Sequence, residues 1–371
     1  MLGTPNLPTV LGSPCYPMRA RAKLQRFMIP LQRCIISLVA SGLVASACSG
    51  KEKEQPPATC GKCDPCAACS GTCSSGRCLV TLASEQNHPG GIAVDATNVY
   101  WTVEGAIGGQ GRVMSVPLAG GTAATITPAR RSPLGMVIDA ANAYWIEQEL
   151  GVGGVMKVAL GGGASSQIAL AGSPSGIALD AESVYWTEPF DVFKAPLGGG
   201  PTVSLASMQN GSASIAVDAT SVYWATSNDV TKASLDGSGV TVLAPMQFPS
   251  SIAVDAESVY WMNHDGRLMK VPLAGGSPTQ IATGTEGPHG IAVDDTFVYF
   301  TNFGSTADTA DGSVMKVGRA GGAVTTLASD QDHPASLAVD ATSLYWISYG
   351  SGPPGPGLPP KLGAVLKLTP K

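Results

Sequence analysis

Three of the four histidines stand a few residues before or within a phrase that the chain repeats, of the type Gly/Ser-apolar-Ala-apolar-Asp. These histidines are His88, His289 and His333. Acidic or amide side chains end the aromatic run after the phrase, and they are Glu147, Glu188, Asn263 and Asn302. Imidazole beside a carboxylate can act as an acid–base pair, and imidazole with amide and carboxylate oxygens can hold a divalent ion. The same residue types also suit turns on a polar loop face, so both interpretations stay open.

The repeated phrase indicates which elements must carry these side chains. Each copy continues into a small apolar-Tyr-Trp segment or a close variant, and the steps between copies are 37 to 46 residues. The seven copies have their aspartates at Asp95, Asp139, Asp180, Asp218, Asp255, Asp294 and Asp340. A period near 40 residues with strand-like units is typical of a β-propeller. Each repeat divides into four short strands, which we call a to d in chain order.

The two ends of the repeat region predict how the ring closes. The last repeat ends after its c strand, Ala364–Thr369, and a spare d strand, Leu79–Leu82, precedes the first repeat. We therefore predict an all-β fold over residues 79–371, a seven-bladed β-propeller of four-stranded blades. Its closure would be three-plus-one, with the N-terminal strand completing blade seven and removing an open sheet edge.

The alternating strand direction divides the loops between two faces of such a ring. The d→a and b→c connections share one face, which varies in sequence, whereas the a→b and c→d turns are nearly identical in every repeat. His88, His289 and His333 lie in d→a connections of blades one, six and seven, which are consecutive in a closed ring. We therefore expect them to gather at one sector of the channel mouth. The repeated aspartates are expected to close turns, and a recurring lysine of strand c to lie along the blade surface.

Residues 1–47 have the features of an export signal. Basic residues precede the apolar run Cys34–Ala47, which is too short to span a bilayer as a helix. The end of this run, Ala45-Ser46-Ala47-Cys48, resembles the lipobox of bacterial lipoproteins. The resemblance implies that Cys48 is lipidated and that the protein is anchored in the cell envelope, at the outer membrane. Ordinary signal cleavage, which would leave Cys48 as a plain thiol, is the alternative.

Two short segments separate this signal from the repeats. Residues 48–59 are charged and contain proline, which predicts a flexible tether. Residues 60–78 carry six closely spaced cysteines, which in an exported protein predict a disulfide-bonded segment independent of the propeller. The spacing also fits an iron–sulfur run or a zinc site, and both remain alternatives. The cysteines are Cys60, Cys63, Cys66, Cys69, Cys73 and Cys78.

The repeat sequences resemble propellers of the YWTD, NHL and streptogramin-lyase type. The segments GIAVDATNVYWT and GRLMKVPLAGG are similar to strands a to c of a YWTD blade. YWTD propellers have six blades, however, and the last Asp of their motif is absent from every copy here. The seven repeats and the segment Pro288-His289-Gly290-Ile291 look more like streptogramin lyases. The resemblance implies a fold and leaves the function open.

The net charge and the sequence motifs exclude some classes of function. Removing the five basic residues of the signal leaves a net charge of −10, which disfavours nucleic acid as a partner. Nucleotide-binding and nucleophile-elbow motifs are absent from the sequence, and we predict no cofactor. The sequence therefore predicts a monomeric, surface-anchored propeller that binds a protein, glycan or small ligand through its variable face. The alternative is a lyase or lactonase-like enzyme at the channel mouth, using the histidines and acidic residues.

Overall fold

Twenty-nine β-strands and no helix make up the part of the chain that the structure, a computed structural model, describes. The described residues are 71–74, 76–105, 110–149, 152–284, 287–305, 310–350 and 362–371. The signal, the tether, Cys48 and the first four cysteines of the Cys-rich segment lie outside them, so the predictions for those residues stay predictions. Within the described ranges no helix is long and apolar enough to cross a membrane.

The strands form seven antiparallel sheets, each a blade. Blade one contains β3 (Pro89–Val94), β4 (Asn98–Val103), β5 (Gly111–Pro117) and β6 (Ala124–Arg130). Blade two contains β7 (Pro133–Ile138), β8 (Asn142–Glu149), β9 (Val152–Ala159) and β10 (Ser166–Ala171). Blade three contains β11 (Gly176–Leu179), β12 (Ser183–Thr187), β13 (Asp191–Pro196) and β14 (Val203–Ser207). Blade four contains β15 (Ile215–Val217), β16 (Ser221–Ala225), β17 (Val230–Ser234) and β18 (Thr241–Ala244).

The remaining three blades complete the ring. Blade five contains β19 (Pro249–Val254), β20 (Ser258–Asn263), β21 (Leu268–Pro272) and β22 (Thr279–Ala282). Blade six contains β23 (Pro288–Val293), β24 (Phe297–Asn302), β25 (Gly312–Gly318) and β26 (Thr325–Gln331). Blade seven contains β27 (Pro334–Val339), β28 (Leu344–Ser348), β29 (Gly363–Thr369), β2 (Arg77–Gln86) and β1 (Thr72–Ser74). The innermost strands, strand a of each blade, contact each other around the whole ring. The predicted seven-bladed propeller is therefore confirmed.

The three-plus-one closure is also confirmed. Strand β2 pairs with β29, with Leu79 opposite Leu368 and Val80 opposite Lys367. Blade seven is therefore built from both ends of the repeat region, and its outer edge is covered by an N-terminal strand.

The Cys-rich segment reaches further into the propeller than the sequence suggested. Strand β2 starts at Arg77 and already includes Cys78, which is buried and lies opposite Thr369 of β29. Strand β1 adds a fifth strand to the same sheet, with Cys73 directly opposite Cys78, and both cysteines are disulfide-bonded. The expected independence of residues 60–78 from the propeller is thus wrong for this part, because the backbone of β29 offers hydrogen bonds beyond Leu79.

Aromatic residues of the b strands fill the seams between blades, as the repeats predict. Trp186 of β12, for instance, packs against Tyr144 and Ile146 of the preceding blade, and all six tryptophans are fully buried. Each such ring removes about 150–250 Å² from water, so these seams supply much of the hydrophobic stabilisation of the ring.

The repeated aspartates close the a→b turns, as expected. In blade four Asp218 Oδ1 accepts hydrogen bonds from the amides of Thr220 and Ser221, and its Oδ2 accepts one from the hydroxyl of Tyr223. The Asp-to-Tyr bond recurs in all seven blades, at 2.6–2.9 Å. The turn is therefore tied to the aromatic strand that follows it.

The strand c lysines connect adjacent blades. Lys232 Nζ, for example, donates a hydrogen bond to the Leu273 carbonyl in the c→d turn of the next blade, at 3.0 Å. The sequence predicted side chains lying along one blade, but each reaches across a seam because the carbonyls of the neighbouring turn point toward it. The six lysines are Lys157, Lys194, Lys232, Lys270, Lys316 and Lys367.

Candidate functional site

The d→a turns of four blades share a backbone conformation, and this conformation favours histidine at two of the three predicted histidine positions. The residue before the proline that opens strand a has a left-handed φ: 52° at His88, 39° at Ser132, 50° at Phe248 and 49° at His333. Histidine is enriched several-fold among side chains that adopt this conformation. His88 and His333 therefore satisfy a turn requirement as well as supplying imidazoles.

The same turn fixes the first residue after strand b. The carbonyl of His88 accepts a hydrogen bond from the Glu104 amide, and the carbonyl of His333 accepts one from the Tyr349 amide, both at 3.0 Å. In blade six the carbonyl of Gly287 binds the Phe303 amide at 2.9 Å. Glu104, Tyr349 and Phe303 thus occupy equivalent places in blades one, seven and six, each held by a backbone bond.

These three side chains border a cavity of about 670 Å³ at the channel mouth. Its wall also includes His289, Ser175 and Ser336, together with small strand a residues around the axis. A narrower space of about 230 Å³ continues along the axis between the a strands of all seven blades, and His289 borders both spaces. The cavity therefore opens on the variable face, lies mainly over blades six, seven and one, and is closed on its far side by Leu134, Gly135 and Ser175 of blades two and three.

On one side of the cavity, the rings of His289, Phe303 and His333 contact each other in turn. His289 stacks on Phe303 with ring centroids 5.6 Å apart, and the Phe303 ring lies 4.6 Å from that of His333. Desolvation lowers the pKa of His289 below its usual value, so the neutral imidazole is favoured at the cavity wall. His333 is 5% exposed, and its ring nitrogens contact Asp332 Oδ1 at 2.9 Å and the Ser305 carbonyl at 3.1 Å. His333 accordingly supports Phe303 from behind.

The other side combines a carboxyl, a phenol and the third imidazole. The His88 ring lies 5.3 Å from the ring of Tyr349, and the Tyr349 hydroxyl interacts with the Glu104 carboxyl. Burial raises the pKa of the Glu104 carboxyl, although His88 and the Tyr349 hydroxyl act in the opposite direction. Burial and the neighbouring Glu104 raise the pKa of Tyr349. This group places a half-buried carboxyl beside an aromatic ring at the cavity edge.

The structure thus brings His88, His289 and His333 to the predicted sector, but only His289 borders the cavity directly. His88 stands behind Tyr349, and His333 behind Phe303. The expectation that the histidines themselves would form the core of a site is therefore replaced by two aromatic-supported groups that share one cavity.

The acidic and amide residues chosen from the sequence lie elsewhere. Glu147 is buried under a bidentate ion pair with Arg130, at 2.5 and 2.9 Å, and accepts the indole hydrogen bond of Trp145. Glu188 likewise accepts the indole hydrogen bond of Trp186 and binds the amide of Gly172. Both side chains stabilise the blade seams and are not part of the cavity wall.

The two asparagines are also absent from the cavity wall. Asn263 is 1% exposed, and neither its Oδ1 nor the indole nitrogen of Trp261, two residues away, has a hydrogen-bond partner among the described residues. Asn302 accepts a hydrogen bond from the Gly304 amide at 3.3 Å. Because side chains alternate along a strand, the last residue of strand b points away from the cavity and the next residue points toward it. The residue one position later in each repeat is the one that borders the cavity, and in blades one, six and seven it is Glu104, Phe303 and Tyr349.

The described residues contain no cluster of three His, Cys, Asp or Glu side chains that could hold a metal ion. The lyase alternative called for His289 beside a carboxylate, but the ring that stacks on His289 belongs to Phe303. The arrangement around the cavity, with two aromatic rings, three hydroxyls, a neutral imidazole and a carboxyl, is suited to binding.

Comparisons with known proteins agree with the fold. No protein-family model and no curated protein sequence matches the chain. The WD40 propeller domain of Doa1 aligns with a TM-score of 0.62 at 11% identity, covering 79% of this chain and 97% of that domain. The computationally designed protein Ika8 aligns with a TM-score of 0.55 at 11% identity, covering 73% of this chain and 83% of that one. A nidogen–laminin complex contains a chain that is 20% identical, with a TM-score of 0.47 and coverages of 56% and 86%. At these identities the likeness concerns architecture alone: the chain is a β-propeller.

Proposed function

We propose that this protein is a binding propeller whose ligand enters the cavity at the channel mouth. The observation that carries the proposal is the convergence of Glu104, Phe303 and Tyr349. They occupy one repeat position in three consecutive blades, where the backbone holds them, yet they differ from each other in chemistry. A scaffold position that is structurally uniform and chemically varied is suited to recognition.

The location of the protein forms a second part of this proposal. The export signal in residues 1–47 and the lipobox-like end support a propeller tethered to the cell envelope through a lipid on Cys48. In that case the mature protein begins at Cys48, and mass spectrometry finds an acylated N-terminal cysteine. A mature N-terminus at any other residue contradicts this part of the proposal.

The binding function is tested by ligand-observed NMR on the purified protein. Mixtures of neutral sugars, amino acids, amines, carboxylates and aromatic compounds cover the main classes of small ligand. We expect at least one class to bind, and the double variant Phe303→Ala, Tyr349→Ala to lose that binding.

The matched control is Phe190→Ala. Phe190 is 62% exposed in the b→c turn of blade three, on the same face but outside the cavity wall. It should retain wild-type binding. If no class binds, or if the double variant binds as the wild type does, the cavity is not the binding site.

A further inference from the structure

We propose that the ligand of this cavity carries an organic cation, an ammonium group that sits between Phe303 and Tyr349 and faces Glu104. This inference rests on the proposed function and names the chemistry of its ligand.

The first argument is the charge of the wall. Glu104 is the only Asp, Glu, Lys or Arg among the described residues that border the cavity. The remaining polar side chains are the hydroxyls of Ser175, Ser336 and Tyr349 and the imidazole of His289. An anionic ligand would meet this carboxylate with no Lys or Arg among the described wall residues to offset it. A neutral ligand would desolvate Glu104 without supplying a counter-charge, which costs free energy.

The second argument is the aromatic content. Phe303 and Tyr349 belong to adjacent blades, six and seven, and both border the same space. The face of an aromatic ring attracts a cation within about 6 Å of its centre, and this attraction grows when the pair is desolvated. Rings combined with a carboxylate favour an ammonium group over an uncharged group of the same shape.

The third argument is that Glu104 has capacity for a partner. The Tyr349 hydroxyl and the field of His88 favour its ionised form, but burial still raises its pKa above the ordinary value. A carboxylate in this state gains from a cation placed beside it. The cavity volume of about 670 Å³ also lies in the range of small-molecule sites.

The experiment compares choline with its uncharged isostere, in which carbon replaces the ammonium nitrogen. Isothermal titration with the purified protein at about pH 8 keeps ordinary histidines neutral. We expect choline to bind at least about tenfold more tightly than the isostere, as one desolvated cation–π contact with a carboxylate would give. Butylamine against butanol repeats the comparison for a primary amine and separates free quaternary ligands from lysine-like ones.

Variants locate the effect. Glu104→Gln should remove most of the preference for the cation, and Tyr349→Ala should weaken the binding of both cations. Phe190→Ala should change neither, and thermal melting reports whether each variant is folded. If Glu104→Gln does not fold, Tyr349→Phe, which removes only the hydroxyl that interacts with Glu104, should still change the ratio of choline affinity to isostere affinity.

The outcomes separate this inference from the proposed function. Equal binding of choline and its isostere, or a sugar or carboxylate that binds through Phe303 and Tyr349 while amines do not, overturns the cation and leaves the binding cavity intact. Absence of binding by every class overturns both.

Discussion

At the scale of single residues, the repeated Asp is the most informative side chain of the scaffold. In each blade one carboxylate oxygen accepts two turn amides and the other accepts the tyrosine hydroxyl five residues later. Partial burial alone would raise the pKa of Asp218, but these hydrogen bonds lower it below the ordinary value. The same balance lowers the pKa of Asp95, Asp139, Asp180 and Asp340. The pKa of Asp294, which also binds Lys371, falls to about 2. The ionised form of this residue is therefore coupled to folding.

A pH dependence of stability follows from these shifts. A carboxyl whose pKa is lowered in the folded state stabilises the protein fully above the unfolded pKa of about 4, and this contribution is lost as the pH falls through the folded value. We expect the free energy of unfolding, measured with urea, to fall steeply between about pH 4 and pH 2. Burial and Asp95 raise the pKa of Tyr100 to about 12, so its contribution is present below about pH 10 and is lost as the pH rises toward 12.

One substitution isolates a single pair. Tyr223→Phe keeps the ring and removes its hydrogen bond to Asp218, so it should lower the free energy of unfolding by about 1–2 kcal/mol at neutral pH. The difference from wild type should shrink as the pH falls below about 4 and Asp218 becomes protonated. A constant difference across that range would mean that the ionised carboxylate is not what the hydroxyl stabilises.

At the scale of elements, the strand c lysines connect neighbouring blades by hydrogen bonds. One of the seven seams lacks such a lysine. Six blades place a lysine opposite the tyrosine of strand b, and its amine binds a carbonyl in the next blade. Blade one has Ser115 opposite Tyr100 instead. The corresponding carbonyl of blade two belongs to Leu160, whose own amide is bound to Ala141 as in the other turns. The seam between blades one and two therefore lacks this hydrogen bond.

Restoring the missing lysine should stabilise the ring. Ser115→Lys is expected to raise the free energy of unfolding by about 1 kcal/mol through a hydrogen bond from a charged donor to the Leu160 carbonyl. Ser115→Met, which supplies a similar chain length without the amine, is the control and should give a smaller gain. The reverse change, Lys232→Met, should lower the free energy of unfolding, because it removes the hydrogen bond between blades four and five. Equal denaturation midpoints for the lysine and methionine variants at position 115 would refute the role of the amine.

At the scale of the whole molecule, one N-terminal strand holds the ring closed. Strand β2 covers the edge of β29, and its Leu82 and Ala83 pack with Ile92 and Trp101 of blade one. The strand thus contributes to blade seven and to the seam with blade one. An unpaired β29 would present the kind of exposed edge that promotes aggregation.

Deletion of residues 79–84 tests this closure. We expect a loss of several kcal/mol of stability, beyond the usual effect of a surface change, because backbone pairing and a buried cluster are removed together. Thermal melting and light scattering should register a lower midpoint and aggregation. Deletion of residues 71–74, which removes β1 and the disulfide of Cys73 but leaves β2 paired with β29, serves as the control and should cost less. Similar melting of the two deletion variants would show that β2 does not close the ring.

The repeated sequence by itself determined the architecture. Blade number, the closure by Leu79–Leu82 and the turn role of the repeated Asp all depend on local spacing and on strand alternation, which are written in the chain itself. The sector that holds His88, His289 and His333 also followed, because blade order in a closed ring is fixed by topology.

The identity of the cavity wall was decided only by tertiary structure. Either the last residue of strand b or the one after it could face the axis. The left-handed d→a turn of the same blade binds the backbone at the end of strand b, and this hydrogen bond directs Glu104, Phe303 and Tyr349 toward the cavity. Glu147 and Glu188 instead accept the indole hydrogen bond of the tryptophan two residues earlier, because residues two apart on an extended chain point to the same side. Strand spacing is a local property of the sequence, whereas the direction of a side chain at a strand end is set by the blades that close around it.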